Sequence, residues 1–242
     1  TGSIDASREN EEVFSGSKLS CDTHNLDHEV LDSKEISKRF PGYHLPNDII
    51  GLYQPEGGFL IPEDCIAGYV LASGELGAEV HGRERLLEWA PNGSGVTIAT
   101  NRGQYSANNL VITAGAWSAK LIPELKELAI PERQVLAWFQ PVRPDLFKPK
   151  TFPVTNVLVD EGRYYCFPSY AIPGFKVGRY HHLEEVVDPD NMDRMPNAQD
   201  EIMLRTFTKK YFPDASGPTA SLKTCMFTNS PDEHFILDFH TE

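Results

Sequence analysis

The chain reads as an α+β fold, a mixed and largely antiparallel sheet flanked by helices. Three observations predict it. Short runs with the two-residue period of strands recur at residues 134–140, 157–159, 163–167 and 175–182. Two stretches carry helix-start chemistry, Asp32 with Glu35 three residues on, and Pro196-Asn197 ahead of Asp200 and Glu201. Asn101-Arg102-Gly103 lies between two β-rich runs, 96–100 and 104–106, and marks a hairpin.

The elements follow in order. Residues 1–25 are polar with Val13, Phe14 and Leu19 as sparse anchors, which predicts a peripheral, partly helical segment. Residues 28–31 read as a short strand. Asp32 then caps a helix in which Ile36 and Phe40 share one face, and Pro41-Gly42 stops it. Gly57-Gly58-Phe59-Leu60-Ile61 reads as a glycine-loosened strand. Pro62 opens a helix with Glu63 and Asp64 at its positive end. That helix carries Ile66, Tyr69 and Val70 and ends near Gly74 or Gly77. Gly68 inside it costs about 1 kcal/mol against Ala unless it packs closely on a neighbour. Residues 79–89 read as a strand, and the hairpin follows. Residues 110–114 form an unbroken apolar run, the pattern of a strand buried on both faces. At Gly115 that run turns into a helix from Trp117 to Leu125, interrupted by Pro123. Such a corner presents free backbone N–H groups to a ligand.

In residues 134–140, Val135, Ala137 and Phe139 oppose Leu136 and Trp138. Pro141 and Pro144 start a loop that runs to about Pro153, and Asp160-Glu161-Gly162 joins the next two strands. Residues 184–200 are acidic and loop-like. The helix after Pro196-Asn197 has acids early and Lys209 and Lys210 late, as its dipole prefers. Leu204, Phe207 and Tyr211 fall on its core face, and Pro213-Asp214 closes it. Residues 223–238 read as a hairpin-like unit. Thr224, Met226 and Thr228 alternate with Cys225 and Phe227, Asn229-Ser230-Pro231-Asp232 has turn chemistry, and residues 235–237 are a short apolar run.

The totals bound the function. The 242 residues suffice for one or two domains, and 40% hydrophobic with 24% charged residues is ordinary for a globular protein. Acids outnumber bases 35 to 22, a net charge of -13, which disfavours nucleic acid as a partner. No apolar run approaches the ~20 residues of a membrane span, and no signal peptide is visible. Cys21, Cys65, Cys166 and Cys225 are scattered without Cys-x-x-Cys, so no metal site is indicated and a reducing, cytoplasm-like compartment fits. No Gly-x-Ser-x-Gly elbow supports a hydrolase.

Single residues stay ambiguous on pattern alone. Lys176 in Phe175-Lys176-Val177 is costly unless it points at water or a partner, and an outward-facing edge lysine reads equally well. Tyr165 reads as a core aromatic, His181 as a surface histidine and Cys225 as a buried small hydrophobe. The last stretch, however, resembles the flavin-attachment segment of the monomeric sarcosine oxidase family, which includes N-methyltryptophan oxidase and pipecolate oxidase. That family's Cys-Met-Tyr-Thr and Asp-Glu-His-Phe-Ile-Ile-Asp correspond here to Cys225-Met226-Phe227-Thr228 and Asp232-Glu233-His234-Phe235-Ile236-Leu237-Asp238.

The resemblance implies FAD as cofactor, covalently held through Cys225, with Met226 and Phe227 beside it. Phe227 stands where the family usually has an active-site tyrosine. It implies that Lys176 lies over the flavin and activates oxygen, that Tyr165 lines the substrate pocket, and that His181 is an active-site histidine. One extra residue between Lys176 and His181 keeps Tyr180 and His182 as rivals for that place, and His234 supports the cysteine turn. The turn at Gly115 and Trp117 would lie against the cofactor and the backbone at Arg85-Leu86 near its adenine end.

The implied fold is an antiparallel or mixed substrate domain with part of a glutathione-reductase-like FAD-binding domain. Residues 1–60 form the substrate-domain periphery, 61–125 the partial FAD domain, 126–224 the substrate domain and 225–242 the attachment segment. No Gly-x-Gly-x-x-Gly is present, so the chain is expected to be an internal fragment that holds flavin weakly or not at all. The implied activity of the intact protein is oxidation of a secondary amine, an N-methyl or cyclic amino acid, to an imine with peroxide formed from oxygen. Its partners would be a small amine and oxygen, and the protein a cytoplasmic monomer without nucleic-acid or membrane partners. Two rival readings are a dehydrogenase or demethylase with another acceptor, and a non-catalytic interaction module that keeps the fold.

Overall fold

Strand β1 (Ser3–Ser7) pairs parallel with a later strand on one side and antiparallel on the other, so the chain's first residues lie inside a sheet. This is from a computed structural model that describes residues 1–240. Ile4 and Ala6 are fully buried, which corrects the expectation of a peripheral start. Two apolar residues suffice to place a five-residue strand when both of its edges are paired. Its polar face meets helix α1 (Glu12–His24): Ser17 Oγ donates to Asp5 at 2.8 Å and Phe14 N to Ser7 Oγ at 3.1 Å. Val13 and Phe14 are buried, whereas Leu19 is exposed and anchors nothing.

Strand β2 (Glu29–Asp32) leads into α2 (Ser33–Arg39) through the expected capping box. Asp32 Oδ1 accepts from the N–H groups of Lys34 and Glu35 at 2.8 Å, and Glu35 Oε2 accepts from Asp32 N at 2.9 Å. Strand β3 (Ile50–Gln54) follows. The strand expected at 57–61 is a loop. A Cβ on Gly57 would collide with Ser3, so the glycine serves a close crossing rather than a strand.

The chain divides into two units, residues 1–59 with 132–227, and residues 60–131 with the segment from 228 onward. The second unit holds α3 (Pro62–Glu75), a three-stranded antiparallel sheet of β4 (Leu86–Asn92), β5 (Gly95–Thr100) and β6 (Gln104–Ala107), and the short α4 (Ser118–Leu121). The β5–β6 hairpin is as expected. Residues 79–85 are not strand, because the chain bends at Gly82 and at Arg83, whose φ is +58°. Residues 110–114 form no ladder among the described residues, and Val111 is 82% exposed. An apolar run becomes a strand only where a neighbouring strand completes its hydrogen bonds. α3 buries none of its side chains, and nothing lies within contact of Gly68 to offset its helical cost.

Returning to the first unit, the chain forms β7 (Ile130–Phe139), β8 (Val154–Val159), β9 (Gly162–Phe167), β10 (Phe175–Arg179), α5 (Ala198–Tyr211) and β11 (Thr219–Asn229). The eight-stranded sheet runs β11-β7-β10-β9-β8-β1-β3-β2. β10 stops at Arg179, three residues short of expectation, because the chain turns there and His181 adopts φ +50°. The second strand expected at 235–237 does not form, and Phe235 and Leu237 are fully exposed.

One face of this sheet is the core. Val135, Ala137, Phe139, Val157, Tyr164, Cys166, Phe175 and Val177 are buried there with Leu204, Phe207 and Tyr211 of α5. Tyr164 stacks on Phe207 at 3.7 Å between ring centroids. By the strand period, Leu136, Trp138, Lys176, Gly178, Arg163, Tyr165 and Phe167 point to the opposite face.

Candidate functional site

The face opposite the core carries a cation, a thiol and a set of rings. Lys176 pairs with Trp138 of β7 on one side and Phe167 of β9 on the other. Its Nζ therefore lies 5.3 Å from the Trp138 ring centroid and 4.8 Å from that of Phe167. Two ring faces flanking one ammonium hold it by cation–π attraction where bulk water is partly excluded. Cys225 on β11 is half-buried; burial pushes its thiol pKa up, and the Lys176 charge is near enough to pull it back. Burial also raises Tyr165 well above its ordinary value, with Cys225 and Tyr180 adding to the shift. The Tyr165 ring stands 5.1 Å from Tyr180 and 6.5 Å from Phe227, and Tyr180 stands 6.0 Å from Phe227.

A backbone choice makes room for this. Gly178 pairs with Tyr165, and any Cβ at 178 would run into the Tyr165 ring and Leu136. Glycine here is a space requirement rather than a conformational one. Lys176, Tyr165, Cys225 and Phe227 are thus brought together on one face.

His181 and His182, two rivals on sequence, have separate surroundings. His182 is fully buried. Its Nε2 lies 2.9 Å from Asp200 Oδ1, and Asp200 also takes two 2.9 Å bonds from the Arg133 guanidinium. Burial lowers the His182 pKa despite Asp200, and the charges of Arg133 and Arg179 lower it further. Arg133 holds the Asp200 carboxyl below its ordinary range against the opposing effect of burial. This cluster braces the start of α5, since Asp200 also completes the Asn197 capping box. His181 instead presents Nδ1 to Glu132 Oε2 at 2.9 Å, with its side chain 35% exposed.

Gly115, Trp117 and Leu86 belong to the second unit. Gly115 has φ +53° with open space where a Cβ would point, and Trp117 is partly exposed. Met226 is half-buried on β11. His234 follows the turn at Pro231–Glu233, donating its backbone N–H to Asp232 at 3.2 Å. Sequence reasoning missed Trp138, Phe167 and Glu132. Trp138 and Phe167 were legible as outward strand positions, but only strand register shows that they flank Lys176.

The first-unit face thus gathers a half-buried thiol, an ammonium and several aromatic rings. Among the described residues no group of three or more His, Cys, Asp or Glu can hold a metal, and no helix is long and apolar enough to cross a membrane.

The FAD dependent oxidoreductase family model matches residues 1–242. The chain is 35% identical over 221 residues to monomeric sarcosine oxidase of Bacillus sp. (strain NS-129), covering 90% of this chain and 57% of that protein. It is 31% identical over 222 residues to N-methyl-L-tryptophan oxidase of Escherichia coli (strain SMS-3-5 / SECEC), covering 90% and 58%. L-proline dehydrogenase from P. horikoshii superposes with a TM-score of 0.77 at 15% identity, over 96% of this chain and 61% of that one. The chain thus spans less than two thirds of the length of each. With a match along its whole length, the chain belongs to the FAD dependent oxidoreductase family.

Proposed function

We propose that the intact protein oxidises a secondary amine, an N-methyl or cyclic amino acid, at bound FAD, with oxygen as acceptor. One amine and one oxygen would give one imine and one hydrogen peroxide, and water then hydrolyses the imine. The observation that carries the reading is Lys176, an ammonium held between Trp138 and Phe167 on the same face as Tyr165. When bound, FAD supplies the redox chemistry, taking a hydride equivalent from the carbon next to the amine nitrogen.

The chain's residues do the rest. Lys176 stabilises negative charge that develops on oxygen during its reduction, at a partly desolvated position where a fixed charge acts strongly. Tyr165, Tyr180 and Phe227 wall the space for the amine, and Phe227 offers an apolar surface with no hydroxyl to hydrogen-bond. His181 contacts the amino acid. Cys225 supplies the sulfur for a covalent bond to FAD, flanked by Met226 and Phe227. The protein works as a monomer on small molecules. The four free thiols favour a reducing compartment such as the cytoplasm.

The test uses the full-length protein. Acid precipitation should leave yellow colour in the wild-type pellet and release it from Cys225→Ser. Colour released from both would sink the covalent link. Lys176→Met should lower the rate of reoxidation by oxygen by about 10²–10³-fold, the usual scale for losing one placed electrostatic group. Amine turnover without peroxide would replace oxygen by another acceptor.

A further inference from the structure

We propose that His182 is a buried proton switch: uptake of a proton at its Nδ1 releases the turn at residues 180–184 and draws Tyr180 out of the amine site. The inference rests on the reading above that Tyr180 walls that site.

The switch begins with a sealed ring. His182 is fully buried, and its Nε2 lies 2.9 Å from Asp200 Oδ1. Arg133 keeps Asp200 ionised, so Nε2 is the donor and Nδ1 of the neutral ring carries the lone pair. Among the described residues that Nδ1 is buried with no hydrogen-bond partner. A neutral ring leaves only a weak acceptor unpaired there. A proton at Nδ1 would make it a charged donor with nothing to receive its bond, which costs far more.

The surrounding charges do not relieve that cost. Asp200 on α5 already takes both Arg133 Nη atoms and the Asn197 N–H besides the ring. Arg133 on β7 and Arg179 on β10 are cations that oppose a third. Arg179 reaches the histidine's own backbone, with Nη1 donating to His182 O at 2.8 Å. The bordering acids are engaged elsewhere. Glu185 lies 3.7 Å from Arg133, the Asp193 charge also acts on Arg133, and Glu132 bonds Gln134 and His181.

The turn itself is poised to move. His181 and Glu184 have φ +50° and +56°, left-handed conformations that persist in side chains other than glycine only where the surroundings impose them. His182 supplies two of the bonds that impose them, its N–H to Gln134 Oε1 at 3.1 Å and its ring to Asp200. Ejecting a protonated ring breaks both and lets the strain go. Tyr180 opens the same turn. Its ring stands 5.1 Å from Tyr165 and 6.0 Å from Phe227, with the Arg163 guanidinium 4.6 Å over it. One short segment thus carries both the proton site and a wall of the amine space. Acid favours release by linkage, because the released ring titrates near the ordinary 6.5 and the sealed ring below it. Each pH unit lost in that window raises the released population up to about tenfold.

The experiment is hydrogen exchange by mass spectrometry on the full-length protein between pH 8 and 5, corrected for intrinsic exchange rates, with amine-oxidation kinetics over the same range. In wild type, protection of a peptide spanning 180–184 should fall below pH 6.5 by up to about tenfold per unit, ahead of the neighbouring β9 peptide. His182→Gln, which keeps a donor for Asp200 but does not titrate, should keep its protection; His182→Asn serves the same purpose if the glutamine variant does not fold. The ratio of wild-type to variant KM, in which titration of the amine itself cancels, should rise severalfold toward pH 5. Protection in wild type that does not change with pH, or that falls equally in the variant, overturns the switch. A pH-dependent turn with a flat KM ratio overturns its link to the amine site and removes Tyr180 from the wall. Absence of amine oxidation by both proteins at every pH overturns the function proposed above, and this proposal with it.

Discussion

Lys176 shows how much a single position can conceal. Its sequence neighbours, Phe175 and Val177, face the core, and the strand period alone puts the lysine on the other side. What waits there depends on β7 and β9, whose nearest paired residues lie 38 and 9 positions away in the chain. The two histidines make the same point. Side by side in sequence, one is sealed beside Asp200 and the other meets Glu132. His182 carries a pH prediction. Its pKa is lowered in the fold, so the unfolded chain binds the proton more readily. Stability is therefore full above about 6.5, the ordinary value, and falls as pH drops below it. Asp200, also lowered, acts in the same direction but only near and below its ordinary 3.8. Denaturant unfolding between pH 8 and 5 should show this loss, and His182→Gln should flatten that limb. An equal slope in both would exclude His182 as its source.

Local rules worked best for elements whose signals lie within a few residues. The Asp32 and Asn197 capping boxes both form, each satisfying N–H groups that no helical carbonyl can reach. Asp32→Ala should cost about 1 kcal/mol. The α5 stripe of Leu204, Phe207 and Tyr211 is buried as its spacing requires. Phe207 is packed against Tyr164, Tyr211 and Phe212, so Phe207→Ala should cost about 3–5 kcal/mol by chemical denaturation. A loss under 1 kcal/mol would mean that the α5 face is not core. Local rules failed for β1, β3 and residues 110–114. β1 has only two apolar residues and is a strand because neighbours pair with both its edges; 110–114 has five residues of strand character and no partner ladder. Hydrogen-bond partners supplied from elsewhere decide between those outcomes.

Across the whole molecule the cysteines offer a direct check. All four are free; Cys21 and Cys166 are buried, whereas Cys65 and Cys225 are partly open. Thiol alkylation followed by peptide mapping should label Cys65 first and Cys166 only on unfolding, where burial raises its pKa. Labelling of Cys166 in the native protein would contradict the placement of β9. By itself the sequence determined the α+β class, the capped helices and the hairpin at 101–103, and it carries the contiguous motif Cys225-Met226-Phe227 with Asp232-Glu233-His234 on which the proposed cofactor site rests. Those features depend on contacts within about ten residues or on a motif contiguous in the chain. Only the tertiary structure decided that Lys176 lies between Trp138 and Phe167, that Gly178 leaves room for Tyr165, and that Glu132 holds His181. Each of these is set by the register and folding back of strands distant in sequence, information that no local pattern of residues contains.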